Sequence, residues 1–312
     1  MMAIESEMNQ GICGDEEYPL VSIAIITYNQ KEYLRECIES CLAQDYPNFE
    51  IVVADDASTD GTQEMLLGYK KQYPERFILR MAFENQGITG NSNVCLQACS
   101  GFYVVMLGGD DLLLPSKIST QVRIFQSNDG ISLCGSYARL IDADGKVIGV
   151  RRDAKKKKTP IYKQSDLIES GNSLIPVVTY MFKKSDSPVG GFDVQLPIAS
   201  DSLFFYHISS KGPIFIVKEE LTAYRLHHSH ARKVGYKKDS FISMALCEYY
   251  YPKHFREIKK ARAKLHYSTG RGLYLLGEEQ KAIPYFFFSL SLSFLPKTVS
   301  ALILCYIKII FK

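Results

Sequence analysis

Short apolar runs, each closed by a polar cluster, alternate with stretches of helical spacing through the first part of the chain. Val21 to Thr27 is an uninterrupted buried-strand pattern that Tyr28-Asn29-Gln30 breaks. Lys31 to Gln44 follows, with Leu34, Ile38 and Leu42 at helical spacing. Phe49 to Ala54 is a second strand, ending in Asp55-Asp56-Ala57-Ser58-Thr59-Asp60-Gly61-Thr62. Ser58 or Thr62 is placed to cap a helix that runs to about Gln72. Phe77 to Ala82 reads as a third strand, Asn85-Gln86-Gly87 as a turn and Asn91 to Ala98 as a short helix. A fourth apolar run starts at Phe102, and Pro115, suited to a first helical turn, opens a helix to about Ser127. Strands and helices alternating at this spacing predict an α/β fold with a mostly parallel sheet covered on both faces.

The fourth run, Phe102 to Leu107, is too short for a free helix and ends in Gly108-Gly109-Asp110-Asp111. It reads as a buried strand delivering carboxylates to its carboxyl end, where ligands bind in open α/β sheets. Neighbouring residues of an extended chain point to opposite sides, so Asp110 and Asp111 are expected to divide two tasks. The plain alternative is a turn, since Gly and Asp are common turn residues.

Beyond Asp129-Gly130 the rhythm changes. Ile131 to Ile141, the turn Asp142-Ala143-Asp144-Gly145 and Lys146 to Val150 predict a β-hairpin. The basic stretch Arg151 to Lys158 reads as a solvated loop. Leu174 to Phe182 is a further expected strand, and Pro188 to Phe192 a turn. Ala199-Ser200-Asp201 opens a helix through His207. Pro213 to Val217 is another strand, Leu221 to His230 runs back across the surface, and from Asp239 the pattern is helical.

Composition narrows the class. The chain has 312 residues, 46% hydrophobic and 23% charged, as expected of a globular protein. A net charge of +3 gives no support to a nucleic-acid partner. Eight cysteines occur without a Cys-x-x-Cys pair, and Cys95, Cys99 and Cys134 sit in apolar segments, consistent with a reducing compartment. Met1 to Glu17 is polar and acidic, without the apolar core of a secretory signal. No stretch supplies about 18 uninterrupted apolar residues for a membrane span. The expected location is therefore cytoplasmic.

Four polar clusters fall at expected strand ends or helix starts: Thr27-Tyr28-Asn29, Asp55-Asp56, Asp110-Asp111 and Asp201. No Gly-x-Gly-x-x-Gly follows the first strand, so the backbone cradle of a dinucleotide site is missing. Carboxylates at strand ends fit a ligand whose phosphates are neutralised by Mg²⁺ or Mn²⁺, which take one or two protein carboxylates and complete their shell with phosphate and water. Tyr28 offers a face for stacking, and Asp55 or Asp56 an acceptor for a base edge or ribose.

Together these segments resemble the family-two inverting glycosyltransferases of the bacterial surface-polysaccharide type, which have the GT-A fold. The matching stretches are Val21 with Tyr28-Asn29, Val53 to Thr62, Asn85-Gln86-Gly87 with Asn93, Gly101 to Pro115, Pro188 to Phe192 with Asp201, and Tyr224-Arg225-Leu226-His227. The resemblance covers roughly Pro19 to Ala231. It implies a tail over 1–18, a GT-A catalytic domain over 19–235 and a C-terminal helical segment over 236–312. Within the catalytic domain, 19–130 would bind the nucleotide sugar and 131–235 would shape the acceptor side.

The resemblance also implies roles. Thr27 and Tyr28 line the base, and Asp56 hydrogen-bonds it, most often uracil; Asn29 and Asn93 belong to the donor-binding set. Asp111 binds a Mn²⁺ or Mg²⁺ that bridges the diphosphate, with Asp110 near the ribose or donor sugar. Asp201 matches the catalytic base, and His227 a histidine that approaches the diphosphate or metal from the far side. Two departures stand out. Relatives with Asp-x-Asp-Asp carry an acid where this chain has Gly108, and relatives with Ala-Arg-Asn differ from Asn91-Ser92-Asn93 here.

Structural roles compete with several of these assignments. Tyr28 could cap a core, Asp55 could order its loop, and Asp60 reads as a turn and cap residue. Asp201 could be a helix-start acid favoured by the dipole, Arg225 a structural ion-pair partner, and His228 and His230 solvated. The implied activity is transfer of a sugar from a nucleotide-diphosphate sugar, UDP-linked, to a hydroxyl of a saccharide or lipid-linked saccharide. A nucleotidyltransferase would carry a Gly-rich basic loop after the first strand, and Thr27-Tyr28-Asn29-Gln30 is not one. A non-catalytic nucleotide-sugar-binding relative or assembly scaffold is the other rival, with Gly108 the one feature in its favour. The apolar runs Ile283 to Leu295 and Val299 to Phe311 predict a helical pair, read either as a peripheral contact with the inner face of the plasma membrane or as packing on the domain or a second subunit.

Overall fold

The computed structural model describes residues 18–153, 155, 158–171, 174–226 and 232–310, the side chains of 232–236 excepted. Its first half is β1 (Val21–Thr27), α1 (Lys31–Leu42), β2 (Phe49–Asp55), α2 (Thr62–Gln72), β3 (Phe77–Met81), α3 (Gly87–Ala98), β4 (Tyr103–Gly108), β5 (Leu112–Leu113) and α4 (Lys117–Ser127). There follow β6 (Leu133–Ile141), β7 (Val147–Arg151), β8 (Ile161–Tyr162), α5 (Gln164–Ser170), β9 (Met181–Lys183), α6 (Asp201–Ser209) and β10 (Ile214–Arg225). Four helices close the chain: α7 (Arg232–Tyr250), α8 (Phe255–Leu275), α9 (Glu279–Leu292) and α10 (Pro296–Ile310).

One sheet runs in the order β3-β2-β1-β4-β9-β6-β10-β5, with β7 on β6 and β8 on β10. β1, β2, β3 and β4 are mutually parallel, as are β6 and β10; β9 is antiparallel to both β4 and β6 and joins the two blocks. Every residue of β2 is buried, and most of β1 and β4, which is why they read as continuous apolar runs instead of alternating ones. One core cluster packs α1 and α2 against the sheet, and a second packs α3, α6, α7 and the start of α8 on the other face. β1, β2 and β4 all end at the same edge, so their terminal polar residues share one crevice.

Three expectations change. Leu174 to Phe182 is not one strand: a 3₁₀ turn over Val177–Thr179 precedes β9, because the Pro176 carbonyl accepts the Thr179 N–H at 3.0 Å and closes the chain on itself. Pro213–Val217 and the stretch from Leu221 are one strand, β10, whose register shifts around Glu220 conceal its continuity. The helix after β2 has Gly61 at its N-cap, in the left-handed region at φ 86°, and not Ser58 or Thr62; Asp60 just before it accepts the Thr62 N–H at 3.1 Å and its hydroxyl at 2.6 Å through Oδ1. The expected hairpin is present as β6 and β7. α7 runs across the 235/236 division.

Candidate active site

A cavity of about 740 Å³ opens at the shared strand edge, within the size range of small-molecule sites. Its wall includes Thr27, Tyr28, Asp56, Asp110, Asp111 and Asp201, contributed by the ends of β1, β2 and β4 and the start of α6. The structure thus brings together six of the residues expected from sequence. Asn29 and Asn93 are not part of the wall. Asn29, at φ 50°, accepts the Thr59 N–H at 2.8 Å and donates its own N–H to Ser58 Oγ at 2.8 Å, which orders the two loops behind Tyr28. Asn93 accepts the Phe192 N–H at 2.7 Å and donates to the Phe192 carbonyl at 2.9 Å. That clamp needs Gly191, at φ +70°, because a Cβ there would lie 2.3 Å from Asn93 Oδ1. His227 lies outside the described residues.

Thr27, Tyr28 and Asp56 lie together in the cavity wall, the Asp56 N–H donating to the Thr27 carbonyl at 3.0 Å. Tyr28 is half exposed, so its ring is a cavity wall and not a core cap. The Thr27 hydroxyl is buried and without a hydrogen-bond partner among the described residues, an uncommon state that a ligand can relieve. Asp56 is buried, with Oδ1 accepting the Gln86 N–H at 2.7 Å and Oδ2 the Gly87 N–H at 2.9 Å. Asp55 is not in the wall; its Oδ2 accepts from Ser58 N at 3.0 Å and Gln63 Nε2 at 2.9 Å, which makes it a loop-ordering residue.

In the turn after β4, Asp110 and Asp111 do not point to opposite sides as strand alternation implies. β4 stops at Gly108 and the next residues turn. A Cβ at Gly108 would lie 2.7 Å from Asp110 Oδ1 and 3.3 Å from Asp111 Oδ2, so both carboxylates converge on the space a side chain at 108 would take. Asp111 Oδ1 accepts the Arg225 N–H at 2.8 Å. Among the described residues no group of three or more His, Cys, Asp or Glu side chains gathers to hold a metal. A paired carboxylate with space in front of it suits a cation that completes its shell with phosphate and water.

Asp201 is the first residue of α6. Burial pushes its carboxyl up to about 6, while the Ser202 N–H, donated to Oδ1 at 2.9 Å, draws it back. A carboxyl raised by desolvation in a cleft is poised for proton transfer. Phe205, one turn along α6, lines the same wall. Sequence reasoning missed the anchor of this segment: Asp239 of α7 is buried and accepts the N–H groups of Ile198 at 2.7 Å and Ala199 at 3.0 Å. Nothing local flags a residue acting across that separation. It also missed Ile88 and Asn91, which with Ser92 form the wall contributed by α3; their helical spacing was the available signal.

The glycosyl transferase family 2 profile matches residues 22–183, more than half of the chain. The chain is 29% identical over 200 residues to the chondroitin synthase of Escherichia coli, covering 62% of this chain and 27% of that one. It is 34% identical over 127 residues to the putative glycosyltransferase EpsE of Bacillus subtilis, covering 41% and 46% of the two chains, and 29% identical over 228 residues to an uncharacterized glycosyltransferase of Haemophilus influenzae, covering 70% and 69%. The chain therefore spans about a quarter of the chondroitin synthase and under half of EpsE. Among solved structures, S. aureus TarS 1-349 in complex with UDP-GlcNAc matches with TM-score 0.66 at 18% identity, over 91% of this chain and 83% of that one. The mannosyltransferase PcManGT from Pyrobaculum calidifontis, in complex with GDP-Man and Mn²⁺, matches with TM-score 0.61 at 18% identity, over 95% and 81%. These likenesses are of fold, the GT-A arrangement expected from sequence. The chain belongs to glycosyl transferase family 2.

Proposed function

We propose that the chain is a metal-dependent, inverting glycosyltransferase that takes a uridine-diphosphate sugar and glycosylates a hydroxyl of a saccharide or lipid-linked saccharide, in the building of a capsule, O-antigen or exopolysaccharide. The observation that carries this reading is one cavity with a carboxyl raised to about 6 at Asp201 and a convergent pair, Asp110 and Asp111, in the same wall.

The donor would span the wall from Thr27, Tyr28 and Asp56 at the base to Asp110 and Asp111 at the diphosphate. Thr27 Oγ1 would gain the partner it lacks, and Tyr28 would stack on the ring. Asp111 and Asp110 would hold Mn²⁺ or Mg²⁺, which neutralises charge on the departing diphosphate. Asp201 orients the acceptor hydroxyl and takes its proton as that oxygen bonds to the anomeric carbon. The bond to the diphosphate breaks on the opposite face, so configuration inverts. General-base catalysis of this kind contributes about 10²–10⁴-fold. That TarS is seen with UDP and UDP-GlcNAc supports the uridine donor.

Gly108 was the feature that favoured a non-catalytic relative, and the two carboxylates that fill its space support the catalytic reading instead. For the acceptor, exposed apolar side chains on α9 and α10, among them Phe287, Phe288, Ile303 and Ile307, favour one presented at a lipid surface. A thermal-shift comparison of UDP, GDP and CDP sugars with and without Mn²⁺ tests the donor. UDP sugars with Mn²⁺ should give the largest stabilisation; a larger shift with another nucleotide, or equal shifts without metal, overturns the reading.

A further inference from the structure

We propose that Arg225 is a positioning residue for the Gly108–Asp111 turn, tying the two carboxylates there to the β6–β7 turn and to α1. The proposal rests on the reading of Asp110 and Asp111 as the metal and diphosphate end of the cavity. The Arg225 side chain is fully buried at the end of β10. Its Nε donates to the Asp110 carbonyl at 2.9 Å, and its Nη1 to the carbonyls of Asp142 at 3.2 Å and Ala143 at 3.0 Å. Its Nη2 donates to Glu36 Oε2 at 2.6 Å, and the guanidinium lies over the Tyr33 ring, 4.6 Å from its centroid. The backbone N–H of the same residue donates to Asp111 Oδ1 at 2.8 Å. One residue therefore grips Asp110 by its main chain and Asp111 by its carboxylate.

An ion pair alone does not account for this burial. Glu36 is 52% exposed, and pairs of that kind contribute little. Burying a guanidinium is costly unless its N–H groups are satisfied, and here most go to carbonyl oxygens of two turns. The planar fork reaches three carbonyls and a carboxylate at once, which the point charge of a lysine cannot do. Arg225→Lys would keep the positive charge and the backbone bond to Asp111 while releasing the Asp110 carbonyl and the β6–β7 turn. The loss should therefore fall on the placement of the two carboxylates and leave the base pocket alone.

The test is isothermal titration of UDP into the full-length protein across a series of Mn²⁺ concentrations. Loss of a residue that orients metal ligands typically costs about 10–100-fold in metal affinity. Arg225→Lys should raise the Mn²⁺ needed for half-maximal UDP binding by about tenfold or more, with metal-free UDP binding unchanged. Glu36→Ala, which removes only the partner of Nη2, should move it in the same direction by less. A lowered melting temperature with an unchanged Mn²⁺ requirement overturns the proposal and leaves Arg225 a structural residue. If Arg225→Lys does not fold, Glu36→Ala combined with Tyr33→Leu carries the test: a raised requirement supports it and an unchanged one overturns it. Asp111→Asn separates the two readings, because it keeps the acceptor for the Arg225 N–H. Metal-dependent UDP binding that survives Asp111→Asn would sink the reading of the turn itself.

Discussion

Asp56 and Gly87 are joined by a 2.9 Å hydrogen bond from the Gly87 N–H to Asp56 Oδ2, so the carboxylate that follows β2 caps the first turn of α3. The same carboxylate takes the Gln86 N–H, and the position suits a negative charge at a helix N-terminus. Asp56 therefore has a structural task as well as a place in the cavity wall. Asp56→Ala should lower unfolding free energy by about 1–3 kcal/mol, the range for leaving buried hydrogen-bonding groups without their partner, as read by chemical denaturation. If Asp56 also meets the base, the variant should weaken UDP more than Mn²⁺-diphosphate. Equal weakening of both ligands would confine it to holding α3.

Much of this was legible because the central strands are buried on both faces. Val21–Thr27, Phe49–Asp55 and Tyr103–Gly108 carry unbroken apolar runs, and their polar terminators mark the ligand edge. Legibility failed where contacts are distant in sequence. Asn29 and Asn93 sit in motif positions, yet both are spent on backbone across the chain, at Thr59 and Phe192. The convergence of Asp110 and Asp111 could not be read because the strand ends at Gly108, before either aspartate, and alternation does not reach them. Asp239 and Arg225 act through hydrogen bonds to segments some 40 and 115 residues away.

Gly108 gives a direct test of that convergence. A methyl group there would lie 2.7 Å from Asp110 Oδ1, the far end of a side chain that can swing aside. Gly108→Ala should therefore fold with a melting temperature near that of the parent while losing most metal-dependent UDP binding. Titration calorimetry with and without Mn²⁺ reads the difference. Unchanged binding would mean that the two carboxylates need not converge.

Asp201 should set the acidic limb of the pH profile. Its carboxyl is raised from 3.8 to about 6 by burial, and a base works only when deprotonated. The profile of kcat/KM should rise through about pH 6 and level above it, because that ratio reports the free enzyme. Asp201→Asn should keep donor binding and lose turnover by about a hundredfold or more. Stability moves the other way: the folded state binds more protons than the unfolded state between about pH 4 and 6, so stability falls as pH rises through that window. The asparagine variant should lack that fall. An acidic limb near pH 4, or near-normal turnover in the variant, counts against Asp201 as base.

Lys117 makes the converse case in the core. It is fully buried and donates to Gln121 Oε1 at 2.9 Å and to the Thr179 carbonyl at 2.8 Å, behind the Val177–Val178 wall of the cavity. Burial pulls its pKa from 10.5 down to about 7. Between those values the unfolded state binds more protons, so stability should rise with pH. Denaturation between pH 7 and 9 should show this rise in the parent and a flatter response in Lys117→Met. The same slope in both proteins would assign the pH dependence elsewhere.

The C-terminal helices carry the prediction about membranes. Among the described residues no helix is long and apolar enough to cross a bilayer. Yet α9 and α10 are apolar on two sides. Phe286 and Cys305 are buried in a small core with Ala282, while Phe287, Phe288, Ile303, Ile307 and Ile310 face outward. Aromatic side chains on such a face suit headgroup depth, and of the lysines on these helices Lys281 and Lys308 pair with Glu278 and Glu279 while Lys297 lies over the Tyr267 ring. The full-length protein should sediment with lipid vesicles. A variant with Phe287, Phe288, Ile303 and Ile307 changed to serine should stay in solution and still bind UDP, because the substituted side chains are exposed and exposed changes cost little, about 0.5 kcal/mol or less each. If the parent ignored vesicles but eluted as a dimer that the variant split into monomers, the same face would be a subunit interface and the lipid-surface reading of the acceptor would lose its support.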